Sequence, residues 1–197
     1  NKMEDNLDKI NKLFIESSDV ILKSKQLSQK INDSIKLIIT SLERKNKILI
    51  FGNGGSAADA QHMSAEFISK YLLERLSLPA IALTTDTSIL TSIGNDYNFD
   101  KIFSRQCESL VNEGDIVIAI STSGKSKNVI LGIEEAKRKG AKIISLTGNN
   151  GGILNQISDI CLEIPSNETP RIQEGHRILI HIICELVESH FKNVQCI

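Results

Sequence analysis

His62 and Glu66 stand four positions apart, and Gln173 and His181 stand eight apart. On helices, each pair would project from about one face. Imidazole with carboxylate at that spacing suits a divalent metal such as zinc. Taken singly, each residue has a plainer reading. A His–Glu pair one turn apart is more often a solvated surface pair than a ligand set. His181 lies among Ile178, Leu179, Ile180, Ile182 and Ile183, where a core histidine is common. His176 and His190 look ordinary and take no role.

A second group is Ser121-Thr122-Ser123-Gly124-Lys125-Ser126, which follows the apolar run Ile116–Ile120 and precedes a helical period. Hydroxyls, a flexible glycine and the exposed amides of a helix N-terminus make an oxyanion cradle suited to a sugar phosphate. Helix capping alone would account for one or two of these hydroxyls. The Gly124-Lys125-Ser126 triplet resembles the end of a Walker A loop, but Ala119 stands where that loop needs its first glycine. No nucleoside triphosphate site follows.

The third group is Gly52-Asn53-Gly54-Gly55-Ser56-Ala57, again at a strand-to-helix turn. Gly52, Gly54 and Ala57 satisfy a variant dinucleotide fingerprint, yet the acidic residue expected about 20 positions on is missing, since Asp86 comes late. The glycines also let a phosphosugar approach the backbone, with Asn53 and Ser56 as hydrogen-bonding groups.

These groups need a scaffold that brings them together. Ile48–Phe51, Ala80–Thr84, Ile116–Ile120, Lys142–Leu146 and Ile160–Ile164 are short apolar runs alternating with helical periods, the pattern of buried parallel strands in βαβ units. Before them, Leu7, Ile10, Leu13 and Phe14, then Leu27, Ile31, Ile35, Ile38 and Leu42, repeat at helical spacing. Two helices up to about Asn46 could cover the sheet or pair with a second subunit. Gly140 is placed to end one helix and Pro170 to open the last. The reading is an α/β fold: a three-layer α-β-α sandwich on a five-stranded parallel sheet, flavodoxin-like. It forms a single domain over 1–197, with 1–46 as a helical N-terminal extension and 47–197 as the α/β core. Ligands bind at the carboxyl ends of such strands, which selects Gly52–Ala57, Thr85–Asp96 and Ser121–Ser126.

Composition removes several classes. The 197 residues carry a net charge of -1, which gives no case for nucleic acid or a membrane surface as partner. The first ten residues lack the apolar core of a signal peptide, and no run reaches the roughly 20 apolar residues of a membrane span. Cys107, Cys161, Cys184 and Cys196 form no Cys-x-x-Cys pair, so the expected compartment is reducing and the location cytoplasmic. With no Trp and 4% aromatics, a sugar would be held by polar groups rather than stacked rings.

Together the motifs are specific. Gly52-Asn53-Gly54-Gly55-Ser56, Asp59-Ala60-Gln61-His62, Gly94-Asn95-Asp96, Ile120-Ser121-Thr122-Ser123-Gly124, Leu146-Thr147-Gly148 and Arg171-Ile172-Gln173-Glu174 resemble the sugar isomerase (SIS) family over nearly the whole chain. Within it they resemble the phosphoheptose isomerase branch. The resemblance implies one zinc ion per subunit on His62, Glu66, Gln173 and His181. It implies substrate contacts from Asn53, Gly54, Gly55, Ser56, Glu66, Asn95, Asp96 and Gln173, with phosphate on Ser121, Thr122, Ser123 and Ser126. It also implies a homotetramer with sites between subunits. The implied reaction converts D-sedoheptulose 7-phosphate to D-glycero-D-manno-heptose 7-phosphate, the first step toward the ADP-heptose of the lipopolysaccharide core.

On that resemblance Glu66 is the expected catalytic base and His181 the expected acid, although a zinc-bound carboxylate is a weakened base. The alternatives are a non-catalytic SIS-domain binding protein, either associated with the replication initiator DnaA or sensing phosphosugars, and a nicotinamide enzyme. Glu66 and His181, which the DnaA-associating group lacks, favour the enzyme. One departure is Ser69-Lys70-Tyr71 where the family often has Gly-Arg-Tyr; lysine keeps the charge but loses the bidentate fork.

Overall fold

The structure, a computed structural model, describes residues 2–192; Cys196 lies outside the described residues. Five apolar segments form the strands β1 (Ile48–Gly52), β2 (Ala80–Ala82), β3 (Ile116–Ile120), β4 (Lys142–Thr147) and β5 (Ile160–Glu163). All pairs are parallel and the sheet order is β2-β1-β3-β4-β5. In a central strand both faces must be covered, which is why β1 and β3 read as continuous apolar runs without alternation. The strand expected over Ala80–Thr84 stops at Ala82. It is an edge strand paired only with β1, and its chain turns at Leu83 and Thr84 toward the next helix.

The helices are α1 (Lys2–Lys23), α2 (Ser28–Glu43), α3 (Gly55–Ile68), α4 (Thr87–Asp96), α5 (Ser104–Leu110), α6 (Lys127–Arg138), α7 (Leu154–Ile157) and α8 (Thr169–Phe191). Alternate strand residues face opposite sides. Ile48, Ile50, Ile116, Ile118 and Ile144 pack under α2, α3 and α8. Leu49, Phe51, Val117, Ala119 and Ile143 pack under α4 to α7. Each buried Val, Leu, Ile or Phe side chain contributes about 2 kcal/mol, so the two cores fix the sheet between its layers. Gly140, at φ +87°, ends α6, and Pro170 lies in the first turn of α8.

The N-terminal helices divide their labour. Helix α2 buries Ile31, Ile35, Ile38 and Leu42 against the sheet. Helix α1 leaves Leu7, Ile10, Leu13 and Phe14 exposed, Phe14 by 71%. No described helix is long and apolar enough to cross a membrane.

Candidate active site

The sheet order reverses between β1 and β3, so the loops after these two strands flank the switch point where such folds bind ligands. They are the glycine loop and the serine loop. Backbone proximity there demands glycine: a Cβ on Gly52 would stand 2.6 Å from the carbonyl oxygen of Ile120 at the end of β3. The loops are also joined by side chains. Asn53 and Asn128 exchange amide hydrogen bonds at 2.8 and 2.9 Å. Asn128, in the first turn of α6 and 3% exposed, is a residue sequence reasoning passed over.

In the serine loop, Ser121 Oγ and Ser126 Oγ share a hydrogen bond of 3.2 Å, and Lys125 N donates to Ser123 Oγ at 3.2 Å. Ser126 therefore does not cap α6, whose N-terminus has no side-chain cap. The orphan amides of that helix end remain available to an anion. This argues against capping as the reason for the hydroxyls. Thr122, Ser123 and Lys125 border a polar cavity of about 310 Å³ shared with Asn149 and Asn167.

Helices α3 and α8 pack side by side, and their facing residues align in order along both. Gly55 faces Gln173 so closely that a Cβ would meet Gln173 Nε2 at 2.7 Å. One turn on, Asp59 Oδ1 lies 2.6 Å from Arg177 Nη2. Another turn on, His62 Nε2 stands 2.9 Å from Glu66 Oε1, and the His181 ring stands 5.3 Å from the His62 ring between centroids. Arg177 also donates to His62 Nδ1. His62 thus lies between the Arg177 guanidinium and the Glu66 carboxylate. Asp59 is 3% exposed. Burial pushes its pKa up, while Arg177 and His181 pull it down, and burial wins. Gly55, Asp59, Gln173 and Arg177 line a cavity of about 500 Å³, which Ser17 and Ile21 of α1 help to close.

His62, Glu66 and His181 thus come together, with Gln173 at the other end of the same helix face. Asp59 and Arg177 complete the row, and the sequence did contain their signal. Arg177 is midway between Gln173 and His181 at four-residue spacing, and Asp59 is one turn before His62. The buried core histidine is His176, not His181: it is 0% exposed and bonded through Nε2 to the Thr147 carbonyl at 3.0 Å. Asn95 and Asp96 lie at the exposed end of α4, bonded to each other at 2.9 Å. No hydrogen bond ties them to the two loops or to α8 among the described residues. Lys70 pairs with Glu74.

As a metal edge, His62 Nε2 and Glu66 Oε1 fit in donor type. Their 2.9 Å separation is close to the roughly 3.3 Å between two ligands of a tetrahedral zinc. The other two donors do not close on that edge. Gln173 and His181 are separated by about 12 Å of helix axis. Among the described residues, no group of three His, Cys, Asp or Glu side chains stands close enough to hold a metal ion. The chain alone presents half of a ligand set.

Comparison with known proteins identifies the family. The SIS domain family matches residues 14–148. The phosphoheptose isomerase of Citrifermentans bemidjiense is 55% identical over 163 residues, 83% of this chain and 85% of that protein. That of Aquifex aeolicus is 54% identical over 93% of this chain and 96% of its own length. Among solved structures, the phosphoheptose isomerase of Neisseria gonorrhoeae superposes with a TM-score of 0.89 at 41% identity, covering 93% of this chain and 98% of that one. The one from Francisella tularensis reaches 0.90 at 38% identity, with the same coverage. The chain therefore belongs to the SIS-domain family, in its phosphoheptose isomerase branch.

Proposed function

We propose that this protein is an aldose–ketose isomerase that converts D-sedoheptulose 7-phosphate to D-glycero-D-manno-heptose 7-phosphate. The observation that carries the reading is the pairing of Glu66 and His62 with His181 across α3 and α8, beside two phosphate-competent loops. The reaction moves a hydrogen between C1 and C2 through an enediol. Glu66 removes the C1 proton of the open ketose and returns it to C2. His181 protonates O2 as the carbonyl there becomes a hydroxyl, then takes back a proton from O1 as the aldehyde forms. Such paired transfers need both groups within hydrogen-bond reach of the sugar. Asn53, Gly54, Gly55, Ser56, Gln173, Asn95 and Asp96 are assigned to the sugar. Ser121, Thr122, Ser123 and Ser126 are assigned to the phosphate, which the uncapped end of α6 supports.

Zinc, one per subunit on His62, Glu66, Gln173 and His181, is part of the proposal. When bound it supplies a Lewis acid for the sugar oxygens. The edge formed by His62 and Glu66 supports it; the distant Gln173 does not. Elemental analysis should find one zinc per chain, and chelation should lower the melting temperature as well as turnover. A metal-free preparation with an unchanged melting temperature would remove zinc.

The proposal further takes residues 1–197 as one such domain, assembled as a cytoplasmic homotetramer that feeds ADP-heptose synthesis. The exposed apolar face of α1 supports self-association. The direct test is incubation with sedoheptulose 7-phosphate, product followed by NMR. Glu66→Gln should fold normally and lose turnover by about 100-fold or more. Near-normal turnover in that variant would take Glu66 out of the mechanism.

A further inference from the structure

The segment joining α3 to β2 is tied down by two buried charges that the reaction itself does not use. Glu188 lies on α8 seven residues beyond His181 and is 1% exposed. Its Oε1 accepts the amide of Tyr71 at 2.7 Å, and its Oε2 accepts those of Leu72 at 2.6 Å and Leu73 at 2.8 Å. Three successive amides converging on one carboxylate fold the chain into an anion-holding turn. Burial pushes the Glu188 pKa up, but these amides together with Arg75 outweigh it and hold the carboxyl below its usual range. It is therefore ionised at neutral pH.

Arg75 shares the burial. Its Nε stands 3.4 Å from Glu188 Oε1, with each side chain 1% exposed. Its Nη1 donates to the carbonyls of Ser69 and Leu76, both at 3.0 Å, and its Nη2 donates to the carbonyl of Glu66 at 2.7 Å. The guanidinium thus satisfies the C-terminal carbonyls of α3 at the residue that carries the base. At the other side of the turn, the Tyr71 ring packs on the His181 ring, 5.5 Å between centroids.

A buried ion pair is weak grounds for stability, since apolar replacements are often as stable. What this one does is geometric. We propose that Glu188, acting through Arg75 and Tyr71, is a positioning residue for the isomerisation, holding the His181 ring and the Glu66 turn in register across α3 and α8. Glu188 is too deep to touch substrate, so it is not itself catalytic. The inference rests on the reading of Glu66 and His181 as base and acid.

The test is a kcat and KM comparison on the intact assembly with sedoheptulose 7-phosphate, for Glu188→Gln, Tyr71→Leu and the double variant. Each single change should lower kcat by roughly 10- to 100-fold, the scale of a small misplacement, with KM within about twofold. The double variant should be no slower than the worse single one, because both act through one contact. Glu188→Asp, which keeps the charge, should recover part of kcat. A lower melting temperature with kcat per folded subunit unchanged would make Glu188 merely structural and overturn the proposal. So would additive losses in the double variant. If Glu188→Gln does not fold, Tyr71→Leu decides, because it leaves the carboxylate cage in place: unchanged kcat overturns the proposal, reduced kcat with unchanged KM upholds it. Glu66→Gln is measured alongside. Full turnover there sinks the acid–base reading, and the proposal with it, whatever Glu188 does.

Discussion

At the scale of single residues, the site is a row of polar groups along α3 and α8: Arg177 reaches both Asp59 and His62, and His62 stands against Glu66. Arg177 is the joint, since it neutralises a buried carboxylate and orients a histidine. Removing it should leave Asp59 buried and unpaired. Loss of a fully buried partner costs 3–5 kcal/mol, but the Arg177 side chain is 38% exposed; solvent screening cuts this to roughly 1–3 kcal/mol. Arg177→Met is therefore expected to unfold at lower denaturant and to turn over slowly. Adding Asp59→Asn should restore most of the stability, because the stranded charge is gone, without restoring turnover, because His62 remains unheld. Equal recovery of both quantities in the double variant would show that Arg177 matters only for folding.

At the scale of elements, turns decide where those residues meet. Gly124 has φ +62°, and a Cβ there would stand 2.1 Å from the carbonyl oxygen of Gly151. The left-handed backbone alone costs a non-glycine residue about 1–2 kcal/mol, and the neighbouring loop cannot yield without moving its backbone. Gly124→Ala should lose at least about 2 kcal/mol in chemical denaturation and raise KM, since it distorts the proposed phosphate loop. Unchanged KM would place the phosphate elsewhere.

Helix α8 shows why the strands were legible and the histidines were not. An apolar run in a central strand has one structural meaning. A histidine in an apolar helix has two, set by its face. His176 and His181 are five positions apart and so about 140° apart around the axis; one points into the sheet layer and the other toward α3. Burial pushes the His176 pKa down from 6.5 to about 4, opposed by its bond to Thr147, and Nδ1 has no partner among the described residues. The unfolded chain takes up that proton below about pH 6.5 and the folded one only near pH 4. Stability should thus fall as pH drops through this window, by about 3 kcal/mol in full. His176→Gln should flatten the slope in denaturation curves between pH 6.5 and 4.5, and an unaltered slope would assign it to other groups.

At the scale of the whole molecule, strand order places the two loops together, and that much followed from βαβ alternation with ligands at the strand ends. What one sequence cannot convey is contact across α3 and α8, which depends on how two distant helices pack, nor which apolar stripes stay uncovered. Helix α1 carries both lessons. It exposes Leu7, Phe14, Ile15 and Leu22, each by more than 60%, apolar surface characteristic of an interface. Seven residues beyond Ile10 and Phe14 on the same stripe, Ser17 and Ile21 line the cavity bordered by Gln173 and Arg177. On the proposed self-association, assembly and site share one helix, and disturbing its exposed apolar residues should be felt at the cavity. Leu7→Glu with Ile15→Glu places two charges among these residues, neither of which borders that cavity. Light scattering should then report a smaller particle than the parent, and turnover should fall in step with the loss of assembly as protein is diluted. A parent that is monomeric at full turnover would break this link, and α1 would then serve only as the wall of its own subunit's cavity.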